Sequence, residues 1–238
     1  SAGRLTCGVF IHAPNGSITP MRLSFVTGTE PDKWFTRFRD RTTHRFVTAD
    51  SADPLGELLD DRADLALVRL PDARVTADHH VVVLYDEAPG IAVPKDHELT
   101  LLDTIGPAEI EGEIVNYATP GSGEVDVEEV RAGLQVVAAN VGVLIAPRPL
   151  IKVLSRRQIE HRDYTGDVPG TEIALVWRRD DDSEAIQDFV GIAKGRTPNS
   201  SRQAAPKRSA REKALAKQQR RAEKKPQPAK KQRPRRRR

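Results

Sequence analysis

Residues 58–70 read LLDDRADLALVRL, and this stretch decides the fold. Leu58 and Leu59 complete an apolar face begun at Leu55. Asp60, Asp61 and Arg62 then interrupt it, and Leu65–Leu70 is apolar at nearly every position. A strand with one wet face alternates apolar and polar side chains. A near-continuous apolar run instead fits a strand in a parallel sheet covered on both faces. Asp53 ahead of Pro54 has the pattern of a helix N-cap followed by proline in the first turn, so a helix ending near Arg62 precedes the strand. A helix feeding a strand of this kind is half of a βαβ unit.

Working outward, Leu23–Val26 is a short apolar strand. Thr29-Glu-Pro-Asp32 has the pattern of an N-cap at Thr29 with proline in the first turn. The helix that follows, Lys33–Arg41, is expected to bury Trp34, Phe35 and Phe38, and Arg45–Val47 is the next strand. Downstream, strands are expected at His80–Tyr85, Ile91–Val93, Gly142–Pro147 and Thr171–Trp177, with a short buried strand at Ile114–Val115. An amphipathic helix is expected over Val125–Val137, and Ser183 caps a last helix through Ile186, Phe189, Val190 and Ile192, ended by Gly195. The alternation predicts an α/β architecture with parallel pairing.

Four segments in this order carry a family resemblance: RLSFVTG at 22–28 before a helix, LLDDRADLALV at 58–68, VPKDH at 93–97, and VAANVGVLIAP at 137–147. Together they resemble the effector-binding (substrate-binding) domain of LysR-type transcription regulators, over about 21–196. The resemblance implies a type 2 periplasmic-binding-protein fold, with two Rossmann-like lobes joined by crossover strands near Ile91–Pro94 and Pro169–Ile173. Lobe I would be 21–92 with 172–196, and lobe II 93–171. Between them it implies a cleft for a small-molecule effector, and lobe-to-lobe packing into a homodimer. The positions matching the family's effector contacts are Thr27, Gly28 and Thr29 at the first helix, and Thr119 and Ser122 in the second lobe. Glu30 and Asp32 place two carboxylates in the first helical turn, where they would compete with an anionic effector for the N–H groups. Nothing in residues 1–20 resembles the family's helix-turn-helix. They are expected to be a disordered or non-native leader, and the chain to be a regulator without that module.

Charge divides the chain. Of its 38 Lys and Arg and 34 Asp and Glu, 17 and two fall in 202–238, giving that segment +15 and leaving 21 and 32 elsewhere, a net −11. A block of like charge without an apolar pattern does not fold alone and commonly serves as an interaction arm, so 197–238 is expected to be a disordered Lys/Arg-rich tail. Its cations are Lys207, Arg208, Arg211, Lys213, Lys217, Arg220, Arg221, Lys224, Lys225, Lys230, Lys231, Arg233, Arg235, Arg236, Arg237 and Arg238 beside Arg202. Such runs bind nucleic acid through its phosphate backbone by counterion release. Leu215 is the segment's one large apolar side chain and it has no aromatic residue, so it offers neither a bilayer anchor nor a stacking platform for bases. DNA or RNA is the expected partner, and not a membrane.

Several chemistries find no support. There is no Gly-x-Ser-x-Gly elbow, Walker loop or His-Glu-x-x-His pattern. The adjacent His79 and His80 would point to opposite strand faces, so neither a catalytic group, a metal site nor a cofactor is expected. The single cysteine, Cys7, allows no disulfide framework. No run approaches 18 apolar residues, and no signal peptide pattern opens the chain, which points to the cytoplasm. Three functional readings follow: a LysR-like effector-binding regulator contacting nucleic acid through its tail, a ribosome- or RNA-associated factor with an empty cleft, and a small-molecule solute-binding protein.

Overall fold

The computed structural model describes residues 19–195. The first eighteen residues and the tail, with every tail cation named above, lie outside the described residues. The chain runs β1 (Met21–Val26), α1 (Asp32–Arg41), β2 (Phe46–Ser51), α2 (Pro54–Leu59), β3 (Leu65–Leu70), β4 (His79–Glu87), β5 (Pro89–Pro94), β6 (Thr104–Ile105), β7 (Val115–Ala118) and α3 (Val127–Ala138). It continues with β8 (Val143–Pro147), α4 (Arg148–Leu154), β9 (Ile159–Tyr164), β10 (Thr171–Arg178) and α5 (Glu184–Ala193).

The strands form two five-stranded sheets, ordered β2-β1-β3-β10-β4 and β6-β9-β5-β8-β7. In the first, β1 pairs in parallel with β2 and β3, while β10 pairs antiparallel with β3 and β4. In the second, β5 is antiparallel to β8 and β9, and the edge strands β7 and β6 are parallel to β8 and β9. The parallel pairing expected from sequence therefore covers β1, β2 and β3, and the returning strand makes the first sheet mixed.

The stretch 65–70 explains its own composition. Leu65 and Leu67 join the core beneath Phe35, Phe38 and Phe189, whereas Ala66 and Val68 pack on the opposite face against Leu55 and Leu58 of α2. Both faces of β3 are covered, so successive side chains are apolar. The second sheet repeats the pattern: Ile91, Val93, Val143 and Ile145 fill one face with Tyr164, and Ala92, Leu144 and Ala146 face the other with α3.

Caps fix three helices. Asp53 accepts from the Gly56 N–H, Asp126 from the Glu128 and Glu129 N–H groups, and Ser183 from the Ile186 N–H. The first helix differs from expectation. It begins at Asp32 behind Pro31, with no side-chain cap. The Thr29 hydroxyl instead turns inward and donates to the Val26 carbonyl at 2.8 Å, closing the turn that ends β1. Nor is Ile114–Val115 a buried strand. The two residues are 61% and 43% exposed at the edge of the second sheet, and Tyr117 is the residue that β7 buries. Trp34 is only partly buried, beside the core and not within it.

The first passage between the sheets sits earlier than the position expected. The chain leaves the first sheet after Glu87 and enters the second at Pro89, so Ile91–Pro94 lies wholly inside the second sheet. It returns across residues 165–170, which carry no strand, and β10 begins at Thr171.

Candidate functional site

A cavity of about 630 Å³ opens where the two sheets meet. The loop after β1 and helix α1 supply Gly28, Glu30 and Trp34, the end of β4 supplies Tyr85, Asp86 and Glu87, and the passage between sheets supplies Ala88. The second side is built by Arg148, Pro149 and Lys152 of α4 and by His161 of β9. Gly28 and Arg148 follow the carboxyl ends of β1 and β8, where open α/β sheets commonly take ligands.

Behind the cavity lies a buried ionic cluster. Arg69 Nε donates to Glu87 Oε2 at 2.6 Å and its Nη2 to Oε1 at 3.1 Å, and the Thr171 hydroxyl donates to the same carboxylate at 2.9 Å. Arg69 Nη2 also reaches the Thr27 carbonyl at 3.3 Å. These contacts tie the ends of β3, β4 and β10 to the loop after β1, which holds both passages in place.

The loop after β1 is pinned from within. The Thr27 hydroxyl donates to Asp50 at 2.6 Å, and Gly28 adopts φ +99°. A Cβ at Gly28 would stand 2.9 Å from the Leu150 Cα and 3.1 Å from Arg69 Nη2. Glycine is thus required twice over, by backbone conformation and by the close approach of α4.

Of the five positions expected to meet an effector, only Gly28 lines this cavity. Thr27 and Thr29 are buried, and their hydroxyls are engaged by Asp50 and Val26. Thr119 is buried, with its N–H on the Ile145 carbonyl. The Ser122 hydroxyl accepts from the Glu124 N–H, and Glu124 in turn accepts from the Ala73 N–H at 2.8 Å. The segment 119–124 therefore packs toward residues 71–73 and does not wall this cavity.

Sequence reasoning did not single out Tyr85, Asp86, Arg148 or Lys152 as site residues. The available signal was Pro147-Arg-Pro149 at the carboxyl end of a buried strand, a position where α/β sheets place ligand contacts.

The electrostatics of the walls are divided. Glu30 pairs with Lys152 at 3.1 Å across the cavity, with both side chains largely exposed. Arg148 pairs with Asp163 and lies 3.5 Å from His161 Nδ1. Burial holds the His161 imidazole below its ordinary pKa, and the Arg148 charge lowers it further. Burial pushes the Tyr85 phenol up to about 12, with the Glu87 and Glu30 charges adding to the rise. Both shifts favour the neutral form of the group. Among the described residues, no group of three or more His, Cys, Asp or Glu side chains is placed to hold a metal, and no helix is long and apolar enough to cross a membrane.

The sequence model of the family described as LysR substrate binding domain matches residues 116–198. No curated protein matches the chain. Among solved structures, a mutant of the OxyR regulatory domain from Pseudomonas aeruginosa superposes with a TM-score of 0.54 at 17% identity, covering 74% of this chain and 96% of that one. The reduced form of OxyR from N. meningitidis gives 0.56 at 17% identity, with coverages of 74% and 93%. A full-length BenM mutant gives 0.57 at 15% identity, with 74% of this chain and 67% of that one. The match to isolated regulatory domains is nearly complete, and at these identities it is a likeness of fold. Residues 116–198 thus match the LysR substrate-binding domain family, and the described body has the type 2 periplasmic-binding-protein fold of LysR regulatory domains.

Proposed function

We propose that this chain is an effector-binding regulatory protein of the LysR kind. It takes a small molecule into the cavity walled by Gly28, Trp34, Tyr85, Arg148 and His161, and contacts DNA or RNA through its Lys/Arg tail. The observation that carries the effector reading is a cavity of about 630 Å³ lined from both sheets, because a ligand that touches both sides favours one relative placement of them over others. Thr27 and Thr29 serve by holding the loop that presents Gly28, and Thr119 and Ser122 by setting the second side through the segment packed on residues 71–73. The nucleic-acid reading rests on the +15 charge of 202–238, which suits phosphate contact without base readout. A homodimer is part of the same reading, since Val47 on the edge strand β2 and Ile114 and Val115 at the edge strand β7 expose apolar side chains.

The test uses the whole chain. Thermal denaturation across a library of small metabolites is expected to reveal at least one that raises Tm with concentration, as binding to the folded state requires. Titration against labelled duplex DNA and single-stranded RNA at two salt concentrations is expected to show tight binding that weakens steeply with salt. Nucleic-acid binding without any stabilising small molecule would favour the RNA- or ribosome-associated reading. A stabilising ligand without nucleic-acid binding would favour a solute-binding role.

A further inference from the structure

The cavity walls carry opposite charges on opposite sides. Glu30 and Asp86 stand on the side of the first sheet, while Arg148 and Lys152, with the His161 imidazole beside them, stand on the side of the second. Glu87, also on the first side, is fully engaged by Arg69 and Thr171 and is closed to a ligand. Among the acidic liners stand two aromatic rings, Trp34 and Tyr85, with centroids 6.5 Å apart and planes tilted by 48°. Tilted rings beside carboxylates suit an ammonium group, which gains from the ring faces and from the negative charge together.

We infer that the ligand of this cavity is amphoteric: a small molecule bearing both an ammonium and a carboxylate group, of the size and chemistry of an amino acid. The inference rests on the effector reading above. Its ammonium group sits between Trp34, Tyr85, Asp86 and Glu30, and its carboxylate meets Lys152, with His161 and Arg148 beyond. His161 is suited to donate, because its Nδ1 faces the Arg148 Nε–H and its Nε2 then carries the proton. Arg148 contributes less than its charge suggests, being paired with Asp163.

Singly charged molecules fit poorly. A bare anion at Lys152 leaves Glu30 and Asp86 unneutralised beside it, and a bare cation at Glu30 faces Lys152 and Arg148. The resident Glu30–Lys152 pair has side chains 69% and 60% exposed, and exposed pairs of this type contribute only about 0–1 kcal/mol. A zwitterion inserts into that pair at small cost and gives each partner a new counter-charge.

The experiment measures stabilisation and affinity of the whole chain with the twenty common amino acids. The best of them is then compared with its decarboxylated amine and its deaminated acid. At least one amino acid is expected to raise Tm, and both single-charge analogues to bind about tenfold more weakly or worse. Glu30→Gln and Lys152→Met are each expected to weaken the amino acid by about tenfold, while the first affects the acid analogue little and the second affects the amine little. The inference is overturned if either analogue binds as well as its parent. It is also overturned if no amino acid stabilises the chain while a singly charged or neutral metabolite does, an outcome that leaves the effector reading standing. If nothing in either collection stabilises the chain, the inference and the effector reading fall together.

Discussion

Arg69 on β3 and Glu87 at the end of β4 form a bidentate ion pair with side chains 4% and 0% exposed, across the intervening strand β10. The pair sits where the chain leaves the first sheet, and Thr171, where it returns, donates to the same carboxylate. Arg69 Nη1 has no hydrogen-bond partner among the described residues, so even this well-made cluster leaves one donor unsatisfied.

Removing one partner strands the other charge in a dry site. Glu87→Gln is expected to cost about 3–5 kcal/mol in denaturant unfolding, whereas the paired change Arg69→Met with Glu87→Leu costs less than the single change. A single change within about 1 kcal/mol of the parent would mean that the site is wet in solution.

Gly28→Ala tests the approach of α4 to the loop after β1. With φ at +99° and the Leu150 Cα in the way, the change is expected to destabilise by about 1–3 kcal/mol. Gly170→Ala, where an added Cβ meets nothing within 4 Å, is expected to be neutral or slightly stabilising. Equal losses at the two positions would remove Gly28 from the role assigned to it.

Phe38 is fully buried among Phe46 and Phe189, with ring centroids 4.9 and 5.5 Å away. Phe38→Ala is expected to cost about 3–5 kcal/mol, read by calorimetry. Trp34→Ala, on the cavity wall, should cost less in stability and more in ligand affinity.

Stability falls with acid in two windows. The folded His161 has a pKa below the unfolded value of 6.5, so the unfolded chain takes up a proton first, and stability declines as pH drops below 6.5. Asp53 is lowered from 3.8 by its hydrogen bonds with Arg74. Asp64 is raised by burial but lowered more by its side-chain and backbone hydrogen bonds from Arg22, for a net shift below 3.8. Their contribution is complete above 3.8 and is lost as pH falls through the folded values. Unfolding free energy measured against pH is expected to show both declines, and His161→Gln to remove the first.

Replacing Arg235, Arg236, Arg237 and Arg238 with Ala is expected to weaken nucleic-acid binding alike for all sequences. The salt slope should flatten by roughly 0.7–0.9 for each phosphate that the tail no longer neutralises. Weakening confined to one sequence would mean that the tail reads bases.

The sequence by itself determined the strands with continuous apolar runs and the helices with strong caps. Leu65–Leu70 and Val143–Pro147 had to be covered on both faces, and Asp53 and Ser183 had to start helices, because these are local consequences of side-chain chemistry. The four ordered segments carried the family likeness for the same reason, each being a short local pattern. The segment 148–164 was less legible. α4 is short and opens with a proline in its first turn, and β9 buries only its end residues, Ile159 and Tyr164, so neither shows a strong period. Beyond Gly28, the site was decided by tertiary structure. Trp34 reads as core, Tyr85 as an ordinary strand residue and Lys152 as a surface cation. Only the meeting of two sheets, with Leu150 packed against Gly28, brings them around one cavity, and no local pattern encodes that long-range approach.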